Sequence, residues 1–377
     1  MRPGGKLLRC QRMARILAAM SGGVDSSVAA GLLLEEGHEV VGAYMKNWIN
    51  EEEIVGECPW EEDIEDARAV CEQLGIEFRV VNLIREYRER VVKYLLAGYE
   101  GGVTPNPDVM CNREMKFGVF LDYALAEGFE SVATGHYAQV RRNDDGSSDL
   151  LRGADPNKDQ TYFLALLRQE QAQRAIFPIG GMLKPEVRSA AERMRLSTAG
   201  KKDSQGICFI GQVKMKDFLS AFVEDRPGDV VDLDGKKLGS HRGLHLYTLG
   251  QRRGLGVASP VYKEAYVVVA KRPERNELVV GFDKPDTPGL YASRCRVGSL
   301  SVVNAEIRDG VRLQAQPRYR TAAEACRVHW VGDSVELEFD APQRALTPGQ
   351  ICAFYDREVL LGGGVFEEIY YEAAAWG

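Results

Sequence analysis

Residues 14–20 and the seven that follow them, Ser21-Gly22-Gly23-Val24-Asp25-Ser26-Ser27, decide how this chain of 377 residues is read. Residues 14–20 form a short apolar run of the kind a buried strand requires. Beyond the seven, Val28-Ala29-Ala30-Gly31-Leu32-Leu33-Leu34 is helical in composition, and Gly37 is a natural C-terminal cap. A strand, a Gly-Ser loop and a helix in that order aim backbone N–H groups and the helix dipole at one spot, a ready site for an anion. Gly22 and Gly23 permit torsions and close approach that a Cβ would obstruct. Ser21, Ser26 and Ser27 can donate hydroxyl hydrogen bonds to phosphate oxygens. Asp25 would repel a bare phosphate, so its presence implies Mg2+ bridging it to the anion. The Gly-Lys-Ser/Thr ending of a Walker loop is missing.

Outward from the loop, residues 39–45 read as a second strand. Residues 61–74 carry Ile64, Ala67, Val70, Cys71 and Leu74 at helical spacing, and 78–81 and 131–134 read as further strands. Strands alternating with helices predict an α/β domain with a parallel sheet. Residues 159–195 read as helical, broken at Pro178-Ile179-Gly180-Gly181. After about Gly211 helical periodicity fades. Short β runs appear at 266–270 and 278–281, then at 294–297, 312–313, 323–329, 334–339 and 351–355, a pattern that predicts a small antiparallel barrel or sandwich. The expected division is a disordered leader over 1–12, a catalytic domain over 13–212, a small mixed or β linker domain over 213–283 and a C-terminal antiparallel β-barrel over 284–377.

Hydrophobic residues at 45% and charged residues at 27% describe an ordinary globular chain. No run approaches the ~18–20 apolar residues that span a bilayer. A net charge of −7 does not favour a polyanionic partner, so a nucleic-acid enzyme would need its positive charge concentrated locally. Residues 168–202 fit, with eight basic side chains against three acidic ones. The eight cysteines include no CxxC pair, which weakens zinc-ribbon and thioredoxin-type readings. Without a secretory signal, they are expected to be reduced in a cytoplasmic protein.

Two cysteines stand in chemically pointed surroundings. Cys111 closes Asn106-Pro107-Asp108-Val109-Met110-Cys111 and precedes a helix expected over 112–125, where the dipole favours thiolate. Asp108, three residues earlier, could shuttle a proton if the loop folds back. Cys208 follows Lys201 and Lys202, whose charge also favours thiolate. Cys58, Cys71, Cys295, Cys326 and Cys352 read as structural.

The segments AMSGGVDSSVAA, MKNW, NPDVMCNREMKFG, TGHYA, KDQTYFL and KKDSQGICFIG, in that order, resemble the bacterial tRNA-specific 2-thiouridylase family. The likeness runs from about Met13 through the PRYRT and TPGQ segments. The loop itself is similar to the pyrophosphatase loop of enzymes that split ATP into AMP and pyrophosphate. The resemblance implies an adenine-nucleotide-hydrolase-like N-terminal domain. Ala19, Met20, Ser21, Gly22, Gly23, Val24, Asp25 and Ser26 would hold ATP, with Met45 and Gly135 at the adenosine. Cys208 would carry sulfur as a persulfide, and Cys111 would be the nucleophile that ends in a disulfide with it. Asn106, Pro107 and Asp108 would contact the target base. His136, Lys158, Asp159, Gln160, Arg318, Tyr319 and Gln350 would contact tRNA.

The implied reaction is ATP-dependent 2-thiolation of the wobble uridine in Lys, Glu and Gln tRNAs. It needs ATP and Mg2+, a tRNA and a sulfur donor such as a cysteine desulfurase or relay protein. No tightly bound metal or organic cofactor and no membrane partner is expected, and the chain is expected to be a monomer. The competing reading is a small-molecule adenylating ligase with the same loop, which would need neither cysteine.

Overall fold

The computed structural model describes residues 13–48, 60–202, 215–259 and 261–371; the expected leader lies outside them. β1 (Arg15–Met20) is apolar after its first residue and has no exposed position, as suits a parallel strand covered on both faces. It is the middle strand of a five-stranded sheet ordered β3-β2-β1-β4-β7. β2 (Glu39–Lys46), β3 (Phe78–Asn82), β4 (Ser131–Ala133) and β7 (Ala175–Ile176) all run parallel to their neighbours. α1 (Val24–Glu35) joins β1 to β2, and α2 (Trp60–Leu74) precedes β3. The chain therefore winds outward on one side of β1 and resumes on the other with β4. The C-terminal ends of β1 and β4 flank a switch point, the place where open α/β sheets hold ligands.

Side-chain size and period decide what covers each face. Val28, Val70, Val187 and Ala190 of α1, α2 and the helix Lys184–Arg193 pack on Ile16, Ala18, Val40 and Tyr44. On the opposite face Tyr87, Leu95, Phe117 and Phe120 pack on Leu17, Val41, Ala43 and Val81.

The helix expected over 159–195 is not continuous. A short turn (Thr161–Leu164), a four-residue helix (Gln169–Ala172) and β7 precede Lys184–Arg193. Asp159 explains the early break. Its Oδ1 accepts hydrogen bonds from the backbone N–H groups of Gly153 and Thr161, both at 3.1 Å, and from the Thr161 hydroxyl at 2.8 Å, a local alternative to helix.

The hairpin β5 (Ala138–Arg142) and β6 (Ser148–Arg152) leaves the parallel sheet and pairs with β17 (Val359–Tyr370) at Leu150 and Leu151. The central sheet, ordered β10-β11-β8-β9, is built from β8 (Gly228–Val231), β9 (Lys237–His241), β10 (Tyr266–Arg272) and β11 (Glu277–Phe282), with one parallel pairing, β11 to β8. The C-terminal strands are β12 (Tyr291–Val302), β13 (Arg312–Gln316), β14 (Glu324–Val331), β15 (Ser334–Arg344), β16 (Ile351–Asp356) and β17. They form an antiparallel barrel that closes where β12 pairs with β17. Cys295, Cys326 and Cys352 fill its core beside Val297, Leu337 and Phe354, and burial pushes the Cys326 thiol up to about 12.

β17 has no counterpart in the sequence reading because Gly362, Gly363 and Gly364 dilute its β character. Those glycines are needed for contact. A Cβ at Gly362 (φ +146°) would stand 2.1 Å from the Ser301 carbonyl oxygen, and one at Gly363 would stand 2.6 Å from that of Cys352.

Gly180 imposes a similar limit on the first domain, where a Cβ would stand 1.6 Å from the Ala138 carbonyl oxygen. Gly180→Ala is expected to cost about 2–3 kcal/mol by forcing backbone apart, read as a lowered Tm; an unchanged melt would contradict the packing described.

Candidate functional site

Gly23 caps α1 with an extended backbone (φ −100°, ψ 163°). Its carbonyl accepts hydrogen bonds from the Ser27 N–H at 3.2 Å, Ser26 Oγ at 3.0 Å and Ser27 Oγ at 2.8 Å. The Ser21 N–H donates to Ser26 Oγ at 3.1 Å. Gly22 has φ +70°, and a Cβ there would stand 2.6 Å from the Asp63 carbonyl oxygen of α2. Gly135, just past β4, approaches the first turn of α1 so closely that a Cβ would stand 2.7 Å from the Asp25 carbonyl carbon and from the Ser26 nitrogen. The two strand ends therefore converge on the helix N-terminus, whose first N–H groups lack an intrahelical partner and could receive an anion.

Two loop side chains differ from the sequence reading. Ser27 is fully buried, donates to Gly23 and accepts from the Thr198 hydroxyl at 3.0 Å; its hydroxyl holds the loop and does not face a phosphate. The Asp25 carboxylate is already engaged. Lys184 Nζ donates to Oδ1 at 2.8 Å and to Oδ2 at 3.0 Å, and the Tyr137 hydroxyl donates to Oδ1 at 2.8 Å. Sequence reasoning counted Lys184 only as surface charge; its place at the start of a helix after the Gly180-Gly181 break was the available signal. Among the described residues no group of three or more His, Cys, Asp or Glu side chains could hold a metal. Asp25 thus fits Mg2+ only as a single protein ligand, with phosphate and water oxygens completing the shell.

The basic stretch 168–202 is not one open surface. Lys184 holds Asp25, Arg188 donates to the carbonyls of Ala199 and Lys201 at 2.8 and 2.6 Å, and Lys201 Nζ lies 2.8 Å from Asp63 and 2.5 Å from Asp66. Lys201 is therefore neutralised by α2 and is not free to polarise a thiol. Cys208 lies outside the described residues.

The helix that carries Cys111 starts earlier than expected. Asn106 is its N-cap, accepting from the Val109 N–H at 3.2 Å, and Pro107 opens the first turn. Cys111 therefore sits one turn inside the helix, where the dipole has weakened. It is 1% exposed, among Val109, Met115 and Phe117. Asp108 and Cys111, three residues apart, share a helix face without any folding back. The helix then changes direction at Gly118 (φ −109°, ψ −106°).

The barrel closes over this turn. Gln350 donates from Nε2 to the Thr104 carbonyl at 2.7 Å, and the Thr104 N–H donates to the Pro348 carbonyl at 3.0 Å. The Tyr319 ring lies 4.3 Å from that of Phe163, whose carbonyl accepts from Asn112 Nδ2 at 3.2 Å. Arg318 donates to the Ala345 carbonyl at 3.0 Å. Gln350, Arg318, Tyr319 and Asn106-Pro107-Asp108 thus share one neighbourhood. Lys158, Asp159 and Gln160 precede the turn Thr161–Leu164, whose Tyr162 hydroxyl donates to the Ile351 carbonyl at 2.9 Å. Asp159 binds Arg152 at 2.7 Å, and Gln160 Oε1 accepts from the Tyr137 N–H at 3.1 Å, so these two side chains hold the fold.

Sequence reasoning missed two buried amides. Asn47, at the end of β2, is 2% exposed with neither side-chain atom hydrogen-bonded, and Asn112 Oδ1 is likewise unpaired. Such atoms are uncommon in folded proteins. Met45, Ala19, Trp48 and Cys111 share one core cluster. This brings Ala19, Met45 and the Cys111 thiol to the same sheet face.

His136 is 7% exposed between Phe117 and Phe177, with Nδ1 2.7 Å from the Thr134 hydroxyl. Burial, assisted by Lys116, holds its pKa well below the ordinary 6.5. Because the unfolded ring binds a proton first, stability is expected to fall as pH drops below 6.5, and His136→Gln is expected to flatten that fall. NMR titration of the ring near its ordinary value would contradict the buried neutral state.

Three family models match consecutive parts of the chain: a "tRNA methyl transferase HUP domain" over 14–212, a "tRNA methyl transferase PRC-barrel domain" over 216–282 and an "Aminomethyltransferase beta-barrel domain" over 292–366. The tRNA-specific 2-thiouridylase MnmA of Akkermansia muciniphila is 61% identical over 95% of this chain and 99% of its own. Those of Stutzerimonas stutzeri and Streptococcus sanguinis are 46% and 48% identical, each over 94% of this chain and 94% and 96% of their own. The chain belongs to the family of tRNA-specific 2-thiouridylases, which are tRNA sulfurtransferases.

Proposed function

We propose that this chain uses ATP to activate the C2 oxygen of a wobble uridine, in Lys, Glu and Gln tRNAs, and replaces that oxygen with sulfur carried as a persulfide on Cys208. The observation that carries the reading is the pairing of an anion loop, narrowed by Gly22 and Gly135, with the Asn106-to-Cys111 turn beneath Gln350 and Tyr319. A methyl transfer would give neither the phosphate loop nor the thiols a role.

The C2 oxygen is a very poor leaving group. In the proposed first step it attacks the α-phosphorus of ATP and pyrophosphate departs toward the α1 N-terminus. The loop N–H groups would stabilise the departing charge, and Mg2+ held by Asp25, in place of or beside the Lys184 ammonium now paired with it, would neutralise phosphate oxygens. In the second step sulfur bonds to C2 and AMP leaves. Either the outer persulfide sulfur attacks C2 and the Cys111 thiolate then attacks the Cys208 sulfur, or Cys111 first releases sulfide that attacks C2. Both routes end in a Cys111–Cys208 disulfide, which an external thiol must reduce before the next turnover. Asp108, three residues before Cys111 on the same helix, would take the thiol proton.

Residues 13–212, 213–283 and 284–377 are taken as the working domains of a cytoplasmic monomer that receives sulfur from a donor protein. Cys71, Cys295, Cys326 and Cys352 are free thiols, and the proposed cycle gives them no part. No helix among the described residues is long and apolar enough to cross a membrane.

The test is incubation with ATP, Mg2+, a persulfide donor and unmodified tRNA, with thiolated tRNA resolved on a mercury gel. Cys111→Ser and Cys208→Ser are each expected to abolish thiolation while tRNA binding persists; normal thiolation by either would end the two-cysteine account. Asp25→Asn and Lys184→Met are expected to slow AMP formation by about 10²–10³, and an undiminished rate would remove the pair from the ATP site.

A further inference from the structure

The sequence of a chain with net charge −7 brings arginines together where the central sheet meets the barrel. Gly250 has φ +81°, and a Cβ built there would stand 3.2 Å from Arg344 Nη1 and 3.9 Å from Arg318 Nη1. The same turn continues through Arg252, which lies 3.4 Å from Asp283. Arg344 donates to Asp283 at 3.0 and 3.1 Å. Among the described residues Asp283 is the one carboxylate paired with Arg252 and Arg344, and Arg318 is bonded only to a carbonyl and a hydroxyl. Burial and the nearby Arg344 both disfavour the Arg318 charge. Like charges gathered around one acid repel, and a fold keeps such a cluster most readily where a polyanion completes it.

The cluster also lies next to the turn assigned to the target base. Thr248, two residues before Gly250, has its hydroxyl 3.5 Å from that of Thr104, and Thr104 is held by Gln350. Arg253 is exposed beside Arg252.

We infer that Arg252, Arg253 and Arg344 form, with Arg318, a phosphate-binding surface for the tRNA strand that flanks the target uridine. The central domain thereby becomes part of substrate recognition. This rests on the tRNA reading above. The surface reads no sequence; it fixes the register of the RNA, so that the uridine meets Asn106-Pro107-Asp108.

The experiment measures binding of unmodified tRNA against salt concentration, with melting curves as the fold control. Wild-type protein is expected to bind with a steep salt dependence. Arg253→Gln, which removes an exposed side chain, should flatten the log Kd against log salt slope by about 0.7–0.9, and the Arg252→Gln/Arg253→Gln pair by about twice that. Asp283→Asn, which unmasks Arg252 and Arg344, should tighten binding. Unchanged slope and Kd in both Arg253→Gln and the double variant would overturn the inference while leaving thiolation intact. Failure of the wild-type chain to bind tRNA at all would overturn the thiolase reading with it.

Discussion

Everything at the site depends on how closely two backbones can approach. Gly135 brings the end of β4 against the first turn of α1, and Gly22 brings the loop against α2, at distances no Cβ allows. With these contacts the crevice beside β1 closes onto a helix N-terminus whose first N–H groups lack an intrahelical partner. Without them the loop would be an ordinary helix cap. The Asp25–Lys184 pair then spans the crevice and ties the helix Lys184–Arg193 to the loop. An anion bound at the loop would be coupled to the position of that helix through this contact.

The second constraint is topological. The β5–β6 hairpin belongs in sequence to the first domain but extends the barrel sheet through β17. Together with Gln350 on Thr104 and Tyr319 on Phe163, it fixes the barrel over the Asn106 turn. A substrate bound as proposed would meet the parallel-sheet region and the barrel at once, with the Thr248–Arg252 turn at the rim.

The parallel sheet, apart from β7 in the stretch read as helical, and the loop were legible because their signals are local: apolar runs, a Gly-Ser turn and a helix cap. The barrel was legible from its strand texture, except for β17, whose glycines answer to contacts with Ser301 and Cys352 that no local pattern encodes. The Asp159 region read as helix because its capping bonds compete with helix only once Gly153 and Thr161 are in place. At the site, residue types pointed to Cys111 and Asp25. Their partners did not emerge, because Lys184 and Tyr137 lie 159 and 112 residues from Asp25 in sequence. Lys201 misled for the same reason; its charge answers to Asp63 and Asp66, far away in the chain.

The most direct measurement of the central claim is a single-turnover reaction with persulfide-loaded protein, ATP and unmodified tRNA, counting AMP and 2-thiouridine together. Activation of the uridine oxygen by ATP predicts AMP that forms only with tRNA present and equals the sulfur incorporated. Sulfur incorporation without ATP, or AMP released at the same rate without tRNA, would contradict it.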